Sequence, residues 1–187
     1  MEQANIKKTK KKLNKIFLIG FMCSGKTVAG KLLAKRLNLK FKDSDKEIEK
    51  IYKKKISAII QEDGINYFRQ IEEKTVKKLI NKQNIIIAMG GGIMSCKPWP
   101  EYLKGKGLSV YLSCSIEELK KRLLIKENTR PQIGKDSAKK TGDAIKKLLI
   151  KRLPYYNKAD LKLSVTKLSP TQTARKIEKL IIYAKED

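Results

Sequence analysis

Histidine is missing from the 187 residues, so any general base in this chain must be a carboxylate or a lysine. Cysteine is scarce: Cys23, Cys96 and Cys114 stand far apart with no C-x-x-C pair. That spacing supports neither a disulfide framework nor a zinc site and fits a reducing cytosol. No apolar run reaches the roughly eighteen residues of a membrane span, and the N-terminus carries no signal-peptide core. A cytoplasmic protein with no membrane partner is expected. Aromatic residues make up only 6% and gather at Tyr52, Tyr67-Phe68 and Tyr155-Tyr156, which reads as packing rather than as base-stacking platforms. Acids are also few. Nineteen Asp and Glu face forty-four Lys and Arg, a net charge of +25 that ordinarily suggests a polyanionic partner. The lysines recur on nearly every expected helix instead of gathering in one stripe, which points to a solvated basic surface with no specific nucleic-acid partner.

What is present divides simply. Residues 1–14 form a lysine-rich tail expected to stay flexible, and residues 15–187 are expected to be one domain, since domains commonly run to about 100–200 residues. The buried-strand run Ile16–Ile19 leads into Gly20-Phe21-Met22-Cys23-Ser24-Gly25-Lys26-Thr27, which matches G-x-x-x-x-G-K-[ST]. In such a loop the glycines let successive N–H groups turn toward phosphate oxygens at a helix N-terminus. Lys26 would reach the β- and γ-phosphates and the Thr27 hydroxyl would hold Mg²⁺. Val28, Leu32, Leu33 and Leu37 give the following helix its expected apolar stripe.

Further strands are expected at Leu39–Lys42, Ile85–Met89, Leu108–Leu112 and Leu161–Val165. A helical region should run from Lys46 to about Lys82 with a break near Asp63-Gly64. A short helix is expected within Lys97–Leu103, and longer ones at Ile116–Ile125, Asp143–Lys158 and Pro170–Ala184. The polar stretch Lys126–Gly142 reads as a mobile lid. Five strands alternating with helices imply a three-layer α/β/α fold around a five-stranded parallel sheet.

Two carboxylates, Asp43 and Asp45, follow the second strand, where open α/β sheets place ligands. In an extended segment they face one side, toward the phosphate loop if the second strand lies near the first. One could support a metal ion while the other accepts a proton, or they could be a turn acid and a helix cap. Arg69 and Glu72 share a helical face, where the acid can orient a guanidinium to grip a carboxylate or form no more than a surface ion pair. Gly90-Gly91-Gly92 leaves no side chain between the backbone and whatever lies beside it. Arg130, before Pro131, and Arg152 are candidate anion binders.

Taken in order, Gly20 to Thr27, Asp43-x-Asp45, Phe68-Arg69-x-x-Glu72, Gly90-Gly91-Gly92, Arg130-Pro131 and Arg152 with Tyr155–Asp160 behind it resemble the shikimate kinases over residues 15 to 183. That resemblance implies a P-loop kinase fold with a substrate-binding helical region at about 44–72 and a lid at about 126–142. It implies transfer of the γ-phosphoryl group of ATP to the 3-hydroxyl of shikimate with Mg²⁺, by a protein acting as a monomer. Cys23, Ser24, Gly25, Lys26, Thr27, Val28 and Arg130 would contact ATP, with Thr27 and Asp43 at the metal. Asp45 would bind shikimate and act as base beside Lys26 and Arg130. Arg69 and Arg152 would clamp the carboxylate, and Gly90, Gly91 and Gly92 would line the substrate. An arginine that the family carries ahead of the lid could be Arg122. The chain departs from the family at Cys23, where glycine or another small residue is usual, and at Val28, where many members have a second hydroxyl. Another small-molecule kinase of this fold, such as a gluconate kinase, is the alternative enzyme. A nucleic-acid binder and an inactive ATP-binding relative are the alternatives outside it.

Overall fold

Isoleucine-rich strands bury themselves completely: every residue of β1 (Lys15–Ile19) and β3 (Ile85–Ala88) is buried, as expected of strands covered on both faces. The computed structural model describes residues 14–93, 98–128 and 137–183. Between those strands come α1 (Lys26–Leu37), β2 (Lys40–Asp43), α2 (Ser44–Tyr52) and α3 (Ile56–Ile80). After β3 follow α4 (Trp99–Leu103), β4 (Leu108–Ser113), α5 (Ile116–Asn128), α6 (Ser137–Tyr156), β5 (Leu161–Ser164) and α7 (Pro170–Tyr183). All pairings are parallel, in the order β2-β3-β1-β4-β5.

Side-chain alternation along β1 separates two cores. Phe17 and Ile19 join residues of α3, α4, α5 and α6 on one face, while Ile16 and Leu18 join Leu33 of α1 and Ala174, Ile177 and Ile181 of α7 on the other. A third cluster, Ile48, Ile59, Phe68 and Ile71, holds α2 against α3 beside the sheet. Among the described residues no helix is long and apolar enough to cross a membrane.

Four expectations need correction. β2 is not beside β1, because β3 lies between them. Helix α2 begins at Ser44 and stops at Lys53, which takes φ 53° without a glycine or proline to announce it. The break at Gly64 is as expected. That residue adopts φ 83° and ψ 164°, and a side chain there would meet nothing within 4 Å, so conformation rather than space demands glycine. Val28 does not belong to the buried stripe of α1: it is exposed, whereas Leu33 is buried as expected together with Ala29, Gly30 and Ala34. Finally, α5 extends to Asn128 and α6 starts at Ser137, so helix occupies both ends of the expected lid. Lys, Glu and Ala favour helix even in a stretch poor in large apolar side chains. Arg130, Pro131, the middle of that segment and the N-terminal tail lie outside the described residues.

Candidate active site

The C-terminal ends of β2, β3 and β1 are neighbours, and each releases one of the segments singled out above. From β1 the chain turns through Gly20–Gly25 into α1. Lys26 Nζ folds back onto the loop, donating to the carbonyl oxygens of Gly20 at 2.7 Å and Phe21 at 2.8 Å. Withdrawal from water pushes its pKa down to about 8, against the opposing pull of Asp45 and Asp43. Cys23 takes φ 60°, the left-handed conformation for which glycine is better suited. Ser24 Oγ is buried with no hydrogen-bond partner in the protein.

From β2, Asp43 serves two helices at once. Its Oδ1 accepts from the backbone N–H groups of Asp45 at 3.1 Å and Lys46 at 3.3 Å, capping α2. Its Oδ2 accepts from Thr27 Oγ1 at 2.5 Å. The capping role and the link to the phosphate loop are therefore both real. Asp45 does not share an extended segment with Asp43, because it stands in the first turn of α2. Burial, then the nearby Asp43, raises its pKa above the ordinary value. Thr27 and Asp43 are hard oxygen donors held together at the loop, and they suit Mg²⁺, which takes one or two protein ligands and completes its shell with water and phosphate oxygens. No cluster of three or more His, Cys, Asp or Glu able to hold a metal occurs among the described residues.

From β3 come the three glycines, and here space decides. A side chain on Gly90 would overlap Asp45 and stand 2.9 Å from Glu72 Oε1; one on Gly92 would overlap the Arg69 guanidinium; one on Gly91 would stand 3.1 Å from Arg152 Nη1. Gly90 N–H donates to Ser44 Oγ at 2.8 Å, in a fully buried tie between α2 and the glycines. Arg69 Nη1 pairs with Glu72. The acid of this pair is buried and the guanidinium is not, the Glu72 side chain being 2% exposed and that of Arg69 41%; burial raises the pKa of Glu72 while Arg69 opposes the rise. Arg152 reaches in from α6 with its guanidinium carbon 5.5 Å from the centre of the Phe21 ring. Its Nε is buried without a hydrogen-bond partner in the protein.

These groups line one cleft of about 180 Å³, where Lys26, Asp45, Arg69, Glu72, Gly91, Gly92 and Arg152 converge with Met22, Ile56 and Phe68. A second cleft of about 250 Å³ on the other side of the phosphate loop is lined by Cys23, Ser24, Gly25 and Val28 together with Arg122, Leu168 and Pro170. Arg122 is fixed there by Glu118 at 2.7 Å and by the carbonyl oxygens of Cys23 at 3.4 Å and Val165 at 3.3 Å. Of the anticipated residues that are described, Lys26, Asp45, Arg69, Gly91, Gly92 and Arg152 line the first cleft and Cys23, Ser24, Gly25 and Val28 the second, whereas Thr27, Asp43 and Gly90 line neither. The sequence assigns no role to Ser44, although its position between the two aspartates is a signal, nor to Tyr156, which falls in the stretch behind Arg152 and reads there as a packing position.

The shikimate kinase family pattern matches residues 22–182. A shikimate kinase of Azobacteroides pseudotrichonymphae is 38% identical over 158 residues, covering 84% of this chain and 93% of its own. The solved shikimate kinase of Acinetobacter baumannii, in complex with shikimate, superposes with a TM-score of 0.83 at 31% identity, over 94% of this chain and 97% of its own. That of Bacteroides thetaiotaomicron gives a TM-score of 0.82 at 28% identity, covering 90% of this chain and 98% of its own. The family pattern covers most of the chain and these relatives match it over nearly their whole length, so the chain belongs to the shikimate kinase family.

Proposed function

We propose that the protein transfers the γ-phosphoryl group of ATP to the 3-hydroxyl of shikimate, giving shikimate 3-phosphate. The observation that carries this reading is the convergence, in one cleft, of the phosphate-loop lysine, a carboxyl of raised pKa and two guanidinium groups. A carboxylated ring bearing hydroxyls needs that set: forked cations for its acid, and an acceptor for the proton of the attacking oxygen. Arg69, oriented by Glu72, and Arg152, whose Nε still lacks an acceptor, clamp the carboxylate. Asp45 binds the hydroxyls and takes the proton, and its raised pKa makes it the stronger base. Gly90, Gly91 and Gly92 form the floor on which the ring rests.

ATP lies along the loop, its phosphates on the amides of Ser24, Gly25, Lys26 and Thr27 and its remainder toward the cleft of Cys23, Val28 and Arg122. Lys26 exchanges its two carbonyl partners for phosphate oxygens and follows the charge of the transferring group. Thr27 and Asp43 would hold Mg²⁺, which when bound neutralises charge between the β- and γ-phosphates. Arg130, outside the described residues, is assigned to the phosphates as well. Cys23 and Cys114 are free thiols, in keeping with a cytoplasmic enzyme.

A coupled ADP-release assay with Mg²⁺ and ATP tests the reading. Release should depend on shikimate and be unaffected by gluconate. Release that ignores shikimate would overturn the assignment.

A further inference from the structure

Tyr156 has no part in the roles assigned so far, yet its phenol reaches the floor of the cleft. It stands four positions after Arg152 on α6, so both side chains leave the same face of the helix. The residue is fully buried, its hydroxyl donates to the carbonyl oxygen of Gly91 at 2.9 Å, and its ring lies 5.2 Å from that of Tyr111 at a tilt of 42°. Packing fixes the ring from the side while the hydrogen bond fixes its tip. Gly91 is also where three elements approach one another. A side chain there would stand 3.1 Å from Arg152 Nη1 and 3.6 Å from both Tyr156 Oη and the carbonyl oxygen of Gly20 in the phosphate loop. Three successive glycines have the least constrained backbone a chain can offer. A floor built from them holds one height only if something outside it grips the backbone.

We propose that Tyr156 is a positioning residue for the acceptor substrate: by holding the Gly91 carbonyl, it locks the glycine floor to the helix that carries Arg152, so that floor and clamp keep one spacing. The proposal rests on the phosphoryl-transfer reading of the cleft. Burial pushes the phenol's pKa up, so it remains a protonated donor at neutral pH.

Tyr156→Phe keeps the ring and removes the hydroxyl, and with it both the grip on Gly91 and the hydrogen bond shared with the Arg152 side chain. Its KM for shikimate should rise about threefold to tenfold, the size of one ordinary hydrogen bond, while KM for ATP stays within about twofold. Tyr111→Phe, which alters the neighbouring ring but not the grip on Gly91, should leave both values unchanged. Because the phenol acts through the clamp, Tyr156→Phe should add less in an Arg152→Lys background than it does alone. A lowered melting midpoint with unaltered KM for shikimate would reduce Tyr156 to packing and overturn the proposal. So would an equal rise in both KM values, which would place its action on the phosphate loop. A wild-type protein without shikimate-dependent ADP release would remove the reading of the cleft and this inference together, whereas an active wild type with an unaffected variant removes this inference alone.

Discussion

At the scale of single residues, charge placement predicts a conflict between stability and activity. Asp45 holds its proton more tightly in the folded protein than its ordinary 3.8 allows, so the folded state binds more protons than the unfolded one above that pH, and stability falls as pH rises through the raised value. Asp45→Asn removes the loss. The variant should unfold at higher urea than wild type at pH 7, should match it near pH 3, and should have lost turnover; urea midpoints against pH with a single-turnover assay check this. Lys26 has the opposite slope. Its folded value of about 8 lies below the ordinary 10.5, so its contribution to stability grows as pH rises between those limits. Lys26→Met should flatten that part of the stability profile and lower kcat by about a hundredfold or more. Arg69→Lys and Arg152→Lys should each raise KM for shikimate by roughly tenfold to a hundredfold, as when a charge-assisted fork worth about 1.5–3 kcal/mol is lost. Titration with ATP should show its Kd unchanged in both. The residues behind these predictions were visible in the sequence because motif spacing names them. Ser44 stands between the two aspartates and Tyr156 in the stretch behind Arg152, but nothing in a lone serine or tyrosine says which backbone group its hydroxyl will meet.

Secondary-structure elements were legible where a residue type enforces the backbone. Gly64 announces its break because φ 83° with ψ 164° suits no other residue. Gly64→Ala should therefore cost about 1–3 kcal/mol through backbone strain alone, read as a lowered melting midpoint, with KM values little changed because the site lies beyond the kink. The turn at Lys53 was illegible for the converse reason: three lysines in succession carry no turn chemistry, and the packing of Ile48 against Ile59, Phe68 and Ile71 decides where α2 must end. Likewise the facing ends of α5 and α6 lie beyond their expected bounds, because a polar stretch does not signal the absence of helix. Asp43 belongs to this scale as well, since one carboxylate begins α2 and meets the first turn of α1.

For the whole molecule, the parallel five-stranded sheet could be read from alternation, but its strand order could not, because composition does not say which strand sits beside which. The net charge of +25 repels itself, so raising salt from about 10 to 300 mM should raise the melting midpoint as the Debye length falls from roughly 30 to 6 Å. Binding to duplex DNA should weaken steeply over the same range; nanomolar, sequence-selective binding at physiological salt would contradict a merely solvated surface. The position of β3 between β1 and β2 carries a different kind of consequence. Adjacent strands stand about 4.8 Å apart, so the strand ends bearing the phosphate loop and the aspartates are separated by roughly two such steps. Backbone ladders, not side chains, fix that interval, and the sheet works as a ruler between donor and acceptor. Directed evolution on this scaffold can refurnish either end of the ruler but cannot lengthen it, which confines new acceptors to molecules whose reactive hydroxyl meets the same interval.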